Sequence, residues 1–272
     1  YKYDYRNRLV EKKLPGKESE YIIYDKLDRP ILTQDSNLRS ANKWILTKYD
    51  ALNRPVYTGE YTSTLSRKGV QDLVTSNSAV VSEQLQGATV IGDMTAYYSN
   101  TAFPNTNINL NTINYYDTYS FDIIGPLPSA VISYGIVPVN SVKGLPTGSK
   151  VRVLGTTNWI TNLIYYDTKG RSIYNYNYND YLGITSTLKS NLNFVGQIAE
   201  TTSTHTKAAV TTTVIDQFAY DHMGRILTQK QKINSQPEEV IVFNSYDDLG
   251  QLVNKSVGGK TNQNRLQNVD YT

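Results

Sequence analysis

The chain has 272 residues, 27 Lys and Arg against 24 Asp and Glu, a net charge of +3, and no cysteine. Disulfides, thiol chemistry and cysteine-ligated zinc are excluded, no basic stripe marks a nucleic-acid partner, and no apolar run approaches the ~18 residues of a membrane helix. Its 23 tyrosines are far above ordinary usage and suit half-buried pleated surfaces with a wet edge.

In chain order the first strands are predicted near 1–5, 8–13, 20–25, 29–34, 44–50 and 54–61, with Leu14-Pro15-Gly16 marking a return turn. A recurring phrase punctuates them: Tyr-Asp, two residues, then Gly, Asn or Asp, then usually Arg. It occurs as Tyr3-Asp4 to Asn7-Arg8, Tyr24-Asp25 to Asp28-Arg29 and Tyr49-Asp50 to Asn53-Arg54. Asp at the start of a type I turn accepts backbone N–H groups, and the residue three later adopts a left-handed backbone that Gly, Asn and Asp tolerate best. The phrase therefore predicts a hairpin closed by its Asp and Arg. The Tyr then stands opposite the residue after the Arg, and these two are expected to form the buried layer.

The regular spacing lapses between Tyr49 and Tyr166. Residues 62–150 are expected to form an irregular insertion, with one short helix near 66–75 capped by Ser66. Tyr116-Asp117 opens a degenerate copy with Ser120 and Phe121 in the Gly and Arg positions. The prolines and glycines between Asp122 and Lys150 predict a loop without long regular elements. Strands resume near 151–155, 158–166, 171–178, 184–189, 193–203, 209–220, 225–233, 239–246 and 251–257. Three further copies punctuate them, at Tyr166-Asp167 to Gly170-Arg171, Tyr220-Asp221 to Gly224-Arg225 and Tyr246-Asp247 to Gly250-Gln251, the last without Arg. The expected division is 1–61 hairpins, 62–150 insertion and 151–272 hairpins, in a chain that reads as a fragment because it starts and stops inside the pattern.

Candidate chemistry is sparse. His205 lies in a Thr-rich strand and His222 at a hairpin tip, with neither a Gly-x-Ser-x-Gly elbow nor a metal-ligand cluster beside them. Asn254 to Thr261 ends like a phosphate-binding loop but lacks its first Gly, so Gly258-Gly259 predicts a turn. Along 174–179 Tyr174, Tyr176 and Tyr178 alternate with Asn175, Asn177 and Asn179. The three rings are either a buried strand face or a ledge for sugar stacking. No catalytic, cofactor or metal residue is assigned.

The phrase, with Leu9 and the Leu14-Pro15-Gly16 link, resembles the YD repeat of Rhs and YD-repeat proteins, a group that includes toxin-complex shell proteins and teneurins. The likeness covers 1–61 and 160–260, while the interrupted centre and the Tyr- and Asn-rich style resemble Rhs-related bacterial surface proteins. It implies an all-β fold, a spiral or curved sheet of repeated antiparallel hairpins, as a segment of a secreted or cell-surface shell around a C-terminal effector. The partners it implies are the remaining repeats and an enclosed toxin domain. A module that binds glycans through exposed Tyr is the alternative.

Overall fold

The computed structural model describes residues 1–259 and 265–271, and it is all-β with repeated antiparallel hairpins. The chain forms two compact units, Tyr1–Ile123 with Gly148–Ile160, and Ile124–Thr147 with Thr161–Thr272. The division between them falls within two of the strands.

In the first unit the strands are β1 (Lys2–Tyr3), β2 (Leu9–Lys12), β3 (Glu20–Tyr24), β4 (Pro30–Gln34), β5 (Lys43–Tyr49) and β6 (Pro55–Thr62). Each pairs antiparallel with the next. A five-residue helix, α1 (Ser36–Ser40), caps its start with Asp35 and joins β4 to β5. The sequence pattern marks no element there, since five residues are too few to show a period. Then come α2 (Arg67–Ser76), the hairpin β7 (Leu85–Ile91) and β8 (Met94–Tyr98), and β9 (Ile108–Thr118), which pairs with β6. Ser66 Oγ accepts the Gly69 N–H at 3.3 Å and starts α2, whose Val70 and Val74 are buried.

Period-2 alternation builds the core. β5 buries Trp44, Leu46 and Lys48 and leaves the residues between them half-exposed. Val56, Tyr57, Leu110, Ile113 and Tyr115 complete the layer, each large apolar side chain contributing about 1.5–3 kcal/mol on burial. Stacked rings extend it, Tyr98 on Tyr115 at 5.5 Å and Tyr115 on Phe121 at 4.0 Å.

Two expectations for the insertion are corrected here. Residues 62–150 carry the strands β7, β8 and β9. The Pro- and Gly-rich stretch also contains most of a twelve-residue strand, β10 (Ser141–Arg152). Gly144 stands within that strand at φ +82°, a left-handed backbone that glycine adopts without strain.

After β10 come β11 (Trp159–Tyr166) and the strands of the second unit, β12 (Ser172–Asn179), β13 (Ile184–Leu192), β14 (Ile198–Lys207), β15 (Val210–Tyr220), β16 (Ile226–Ile233), β17 (Glu239–Tyr246), β18 (Leu252–Val257) and β19 (Gln267–Asp270). From β12 onward each strand pairs antiparallel with its successor. Leu163, Tyr165, Ile173 and Tyr174 are buried, whereas β13 to β17 are half-exposed over most of their length. Threonine pairs cross those strands, such as Thr187 with Thr204 at 2.5 Å and Thr206 with Thr211 at 2.8 Å. The strand expected over 193–203 is also corrected. Residues 193–197 are a turn, and β14 begins at Ile198.

Candidate functional site

The motif turns share one geometry. Asp4 N–H donates to the Arg8 carbonyl and Asn7 N–H to the Asp4 carbonyl, both at 3.0 Å, and the same pair of bonds recurs at Asp25, Asp50, Asp167, Asp221 and Asp247. The fourth position is left-handed throughout, with φ of 58° at Asn7, 61° at Asp28, 63° at Asn53, 73° at Gly170, 82° at Gly224 and 85° at Gly250. The Tyr stands opposite the residue after the Arg, as in Tyr24 with Pro30, Tyr49 with Pro55 and Tyr220 with Ile226.

The buried layer at these tips differs from the expected one. Tyr166 is buried as expected, but Asp25, Arg29, Asp50 and Asp167 are buried too, while Tyr24 and Tyr49 are half-buried and Pro30 and Pro55 are exposed. The carboxylate explains the reversal, because the turn satisfies it completely. Asp25 Oδ1 accepts from Leu27 N at 2.9 Å and Arg29 N at 3.0 Å, and Oδ2 from Arg29 Nε at 2.8 Å and NH2 at 2.7 Å. A charge so fully paired is tolerated where an unpaired one is not.

The remaining guanidinium nitrogen reaches the next turn. Arg8 NH1 donates to the Asp25 carbonyl at 3.2 Å and to Asp28 Oδ1 at 2.7 Å, and Arg29 NH1 to Asn53 Oδ1 at 2.8 Å. Arg54 grips both carboxylate oxygens of Asp117, at 3.0 and 2.6 Å, and Asp117 itself is left-handed at φ 70°. The degenerate copy thus receives its predecessor through Asp117. Four of the five motif Arg also lie over the Tyr of the next copy, Arg8 on Tyr24 at 4.8 Å, Arg29 on Tyr49 at 4.7 Å, Arg54 on Tyr116 at 4.3 Å and Arg225 on Tyr246 at 4.4 Å. That Tyr hydroxyl donates back to the carbonyl just after the Arg, at Leu9, Pro30, Pro55 and Ile226, over 2.8–3.0 Å.

A further turn, which the Tyr-Asp phrase does not mark, lies in the second unit. Asn193 N–H donates to the Gln197 carbonyl at 2.8 Å, Gly196 N–H to the Asn193 carbonyl at 3.0 Å, and the side chains close as Asn193 Nδ2 to Gln197 Oε1 at 2.9 Å. Arg171 NH1 reaches the Asn193 carbonyl at 3.4 Å, and Gln197 Nε2 the Gly224 carbonyl at 3.1 Å. Asn-x-x-Gly-Gln is the phrase with both charged side chains replaced by neutral amides and Leu192 in place of Tyr, so a search for Tyr-Asp passes over it. Turn starts at 167, 193, 221 and 247 restore an almost even spacing.

The carboxyls of Asp4, Asp167 and Asp221 lie below the ordinary range. Burial alone would raise them, but the backbone N–H groups and guanidinium of the turn outweigh it.

Other candidates fall elsewhere. Tyr174 is buried with its ring 5.6 Å from that of Tyr165, and Tyr176 and Tyr178 are half-buried, Tyr176 against Gly125. His205 faces Ser186 Oγ at 2.9 Å on β14, and His222 is exposed at its turn. Gly258 and Gly259 have φ of 70° and 98°, while Lys260 and Thr261 of the phosphate-loop-like stretch lie outside the described residues. Among the described residues no cluster of three metal-ligating side chains occurs, and no helix is long and apolar enough to cross a membrane.

No family model matches the chain, and none of the curated proteins compared with it matches. Solved structures similar to it include TcdB2-TccC3-TEV, at 13% identity over 91% of this chain and a TM-score of 0.29. TcdB2-TccC3 without its hypervariable C-terminal region follows at 11%, 88% and 0.19, and the Photorhabdus luminescens Tc holotoxin pore with a TccC3 variant at 10%, 96% and 0.18. The chain spans 12%, 15% and 19% of those chains. At these TM-scores the likenesses decide nothing, and the fold rests on the strand pairing itself.

Proposed function

We propose that this chain is a non-enzymatic wall segment of a larger secreted or cell-surface protein of the YD-repeat type, whose stacked hairpins enclose or display another domain. The observation that carries this reading is the directional link between turns, in which the Arg of one copy pairs with its own Asp, reaches the tip of the next copy and stacks on its Tyr. Such a link serves to join one repeat to the next, and its recurrence argues for architecture over a single reaction centre.

The test is limited proteolysis of the full-length protein that carries this segment. A neighbouring domain resistant to protease in the natural protein becomes cleavable when Arg29 and Arg54 are both changed to Ala. Equal cleavage of that domain with or without the two substitutions overturns the reading.

A further inference from the structure

Lys48 is the one residue of the buried face of β5 that carries a charge, and nothing in the turn ladder uses it. Its side chain is 1% exposed. Nζ lies 2.8 Å from Glu83 Oε1, 2.5 Å from Asn100 Oδ1 and 2.8 Å from the Ala102 carbonyl. Glu83 is fully buried and fixed, since its N–H donates to the Tyr49 carbonyl and its carboxylate accepts from Ser99 Oγ, Thr101 N and Ala102 N. Asn100 is oriented as well: Nδ2 donates to the Asn105 carbonyl at 2.9 Å, which turns Oδ1 toward Lys48 and Nδ2 toward the surface. An amine, a carboxylate and a primary amide therefore meet at one nitrogen, with Tyr57 standing opposite Lys48 on β6.

We propose that Lys48 and Asn100 join spontaneously in an intramolecular isopeptide bond, with Glu83 as the catalytic proton carrier. The ammonium passes a proton to the Glu83 carboxylate, and the freed Nζ lone pair attacks Cγ of Asn100. The tetrahedral carbon collapses to an amide as its bond to Nδ2 breaks. Two protons leave Nζ, both reach Nδ2 through Glu83, and Nδ2 departs as ammonium toward the surface side. Glu83 ends as it began, so an ammonium and a primary amide give a secondary amide and ammonium with no outside reactant. Fixed neighbours at contact distance supply the proximity such a step needs, and the dry surroundings favour the neutral amine that must attack. Burial holds the Lys48 pKa below that of an exposed lysine, against the opposing pull of Glu83. In a chain without cysteine, this bond ties β5 to the segment after β8 where a disulfide cannot.

The experiment is intact mass spectrometry of the denatured natural chain, followed by peptide mapping. The expected result is a mass lower than the sequence mass by one ammonia, a branched peptide joining Lys48 to Asn100, and a Lys48 that resists amine acylation in urea. Asn100→Ala, which keeps the Lys48–Glu83 pair, returns to its full sequence mass, and Glu83→Gln does the same. The sequence mass with a reactive Lys48 overturns the proposal, as does an ammonia lost from a linear peptide, which marks a succinimide. A cross-link that persists in Glu83→Gln removes Glu83 from the reaction.

Discussion

At the scale of single residues, burial decides what an Asp–Arg turn contributes. The Arg29 and Asp25 side chains are 10% and 5% exposed, those of Arg225 and Asp221 27% and 11%. Arg29→Ala leaves a buried carboxylate without its cation and is expected to cost about 3 kcal/mol or more. Arg225→Ala, at a wetter turn, should cost about 1 kcal/mol or less. Equilibrium denaturation in urea compares the two, and equal losses would contradict a burial-controlled ladder. Acid provides a second test. Asp4, Asp167 and Asp221 titrate below the ordinary carboxyl value of 3.8 when folded, so the stability they contribute is present above that pH and is lost as pH falls below it. Asp167→Asn should flatten the stability profile below 3.8, which repeated melts in acid would reveal. Much of this was legible in the chain, because left-handed backbone restricts residue type and Asn7, Asp28 and Asn53 show it. The burial of Asp25 and Arg29 was not. Charged residues are ordinarily read as solvated, and only the structure shows the donors that satisfy them.

At the scale of elements, the neutral turn at 193–197 tests whether the ladder needs charge. Asn193→Asp with Gln197→Arg restores the phrase at a half-exposed site, and a double-mutant cycle should give a favourable coupling of about 0.5–1 kcal/mol. No coupling would show that the amide pair already does everything the ion pair can. Gly250 presents a different constraint, because a Cβ there would stand 2.5 Å from Arg225 NH1 while φ is +85°. Gly250→Ala is expected to cost about 1–2 kcal/mol from backbone strain alone, visible as a lower urea midpoint. The hairpins could be read from turn chemistry, and α2 from its Ser66 cap. β10 could not, since Pro146 and Gly144 are residues that ordinarily argue against a strand. The 193–197 turn stayed hidden because it keeps the shape of the phrase and discards its charges.

At the scale of the whole molecule, the tyrosines report on folding together. Burial raises the phenol pKa of Tyr24, Tyr49, Tyr116, Tyr166 and Tyr220 above the ordinary value of 10.0. A raised phenol contributes stability that is complete below that value and is lost as pH climbs through the folded-state pKa. Phenolate absorbance should therefore rise in two stages, with the later stage moving down to the ordinary range in urea. A single stage that urea leaves unchanged would contradict the burial of these phenols. Composition made tyrosine's importance plain, but its partners depend on which hairpin follows which. The two-unit division follows long-range pairing, which no local pattern in the chain announces.

The link from each turn to the next runs one way, and that gives the array a direction. Every full copy presents a plug, the outward nitrogen of its Arg, and a socket, the fourth turn residue and the Tyr ring. Copies of this design are interchangeable in principle, so the gene can gain or lose a whole hairpin without new contacts having to be invented. Half a hairpin would instead turn a plug toward a plug. The copy at 246–251 keeps its socket and carries Gln251 in the plug position, the residue type with which the 193–197 turn reaches the Gly224 carbonyl through Gln197, so growth by duplication has a grammar in this chain that tolerates a second spelling of the same word.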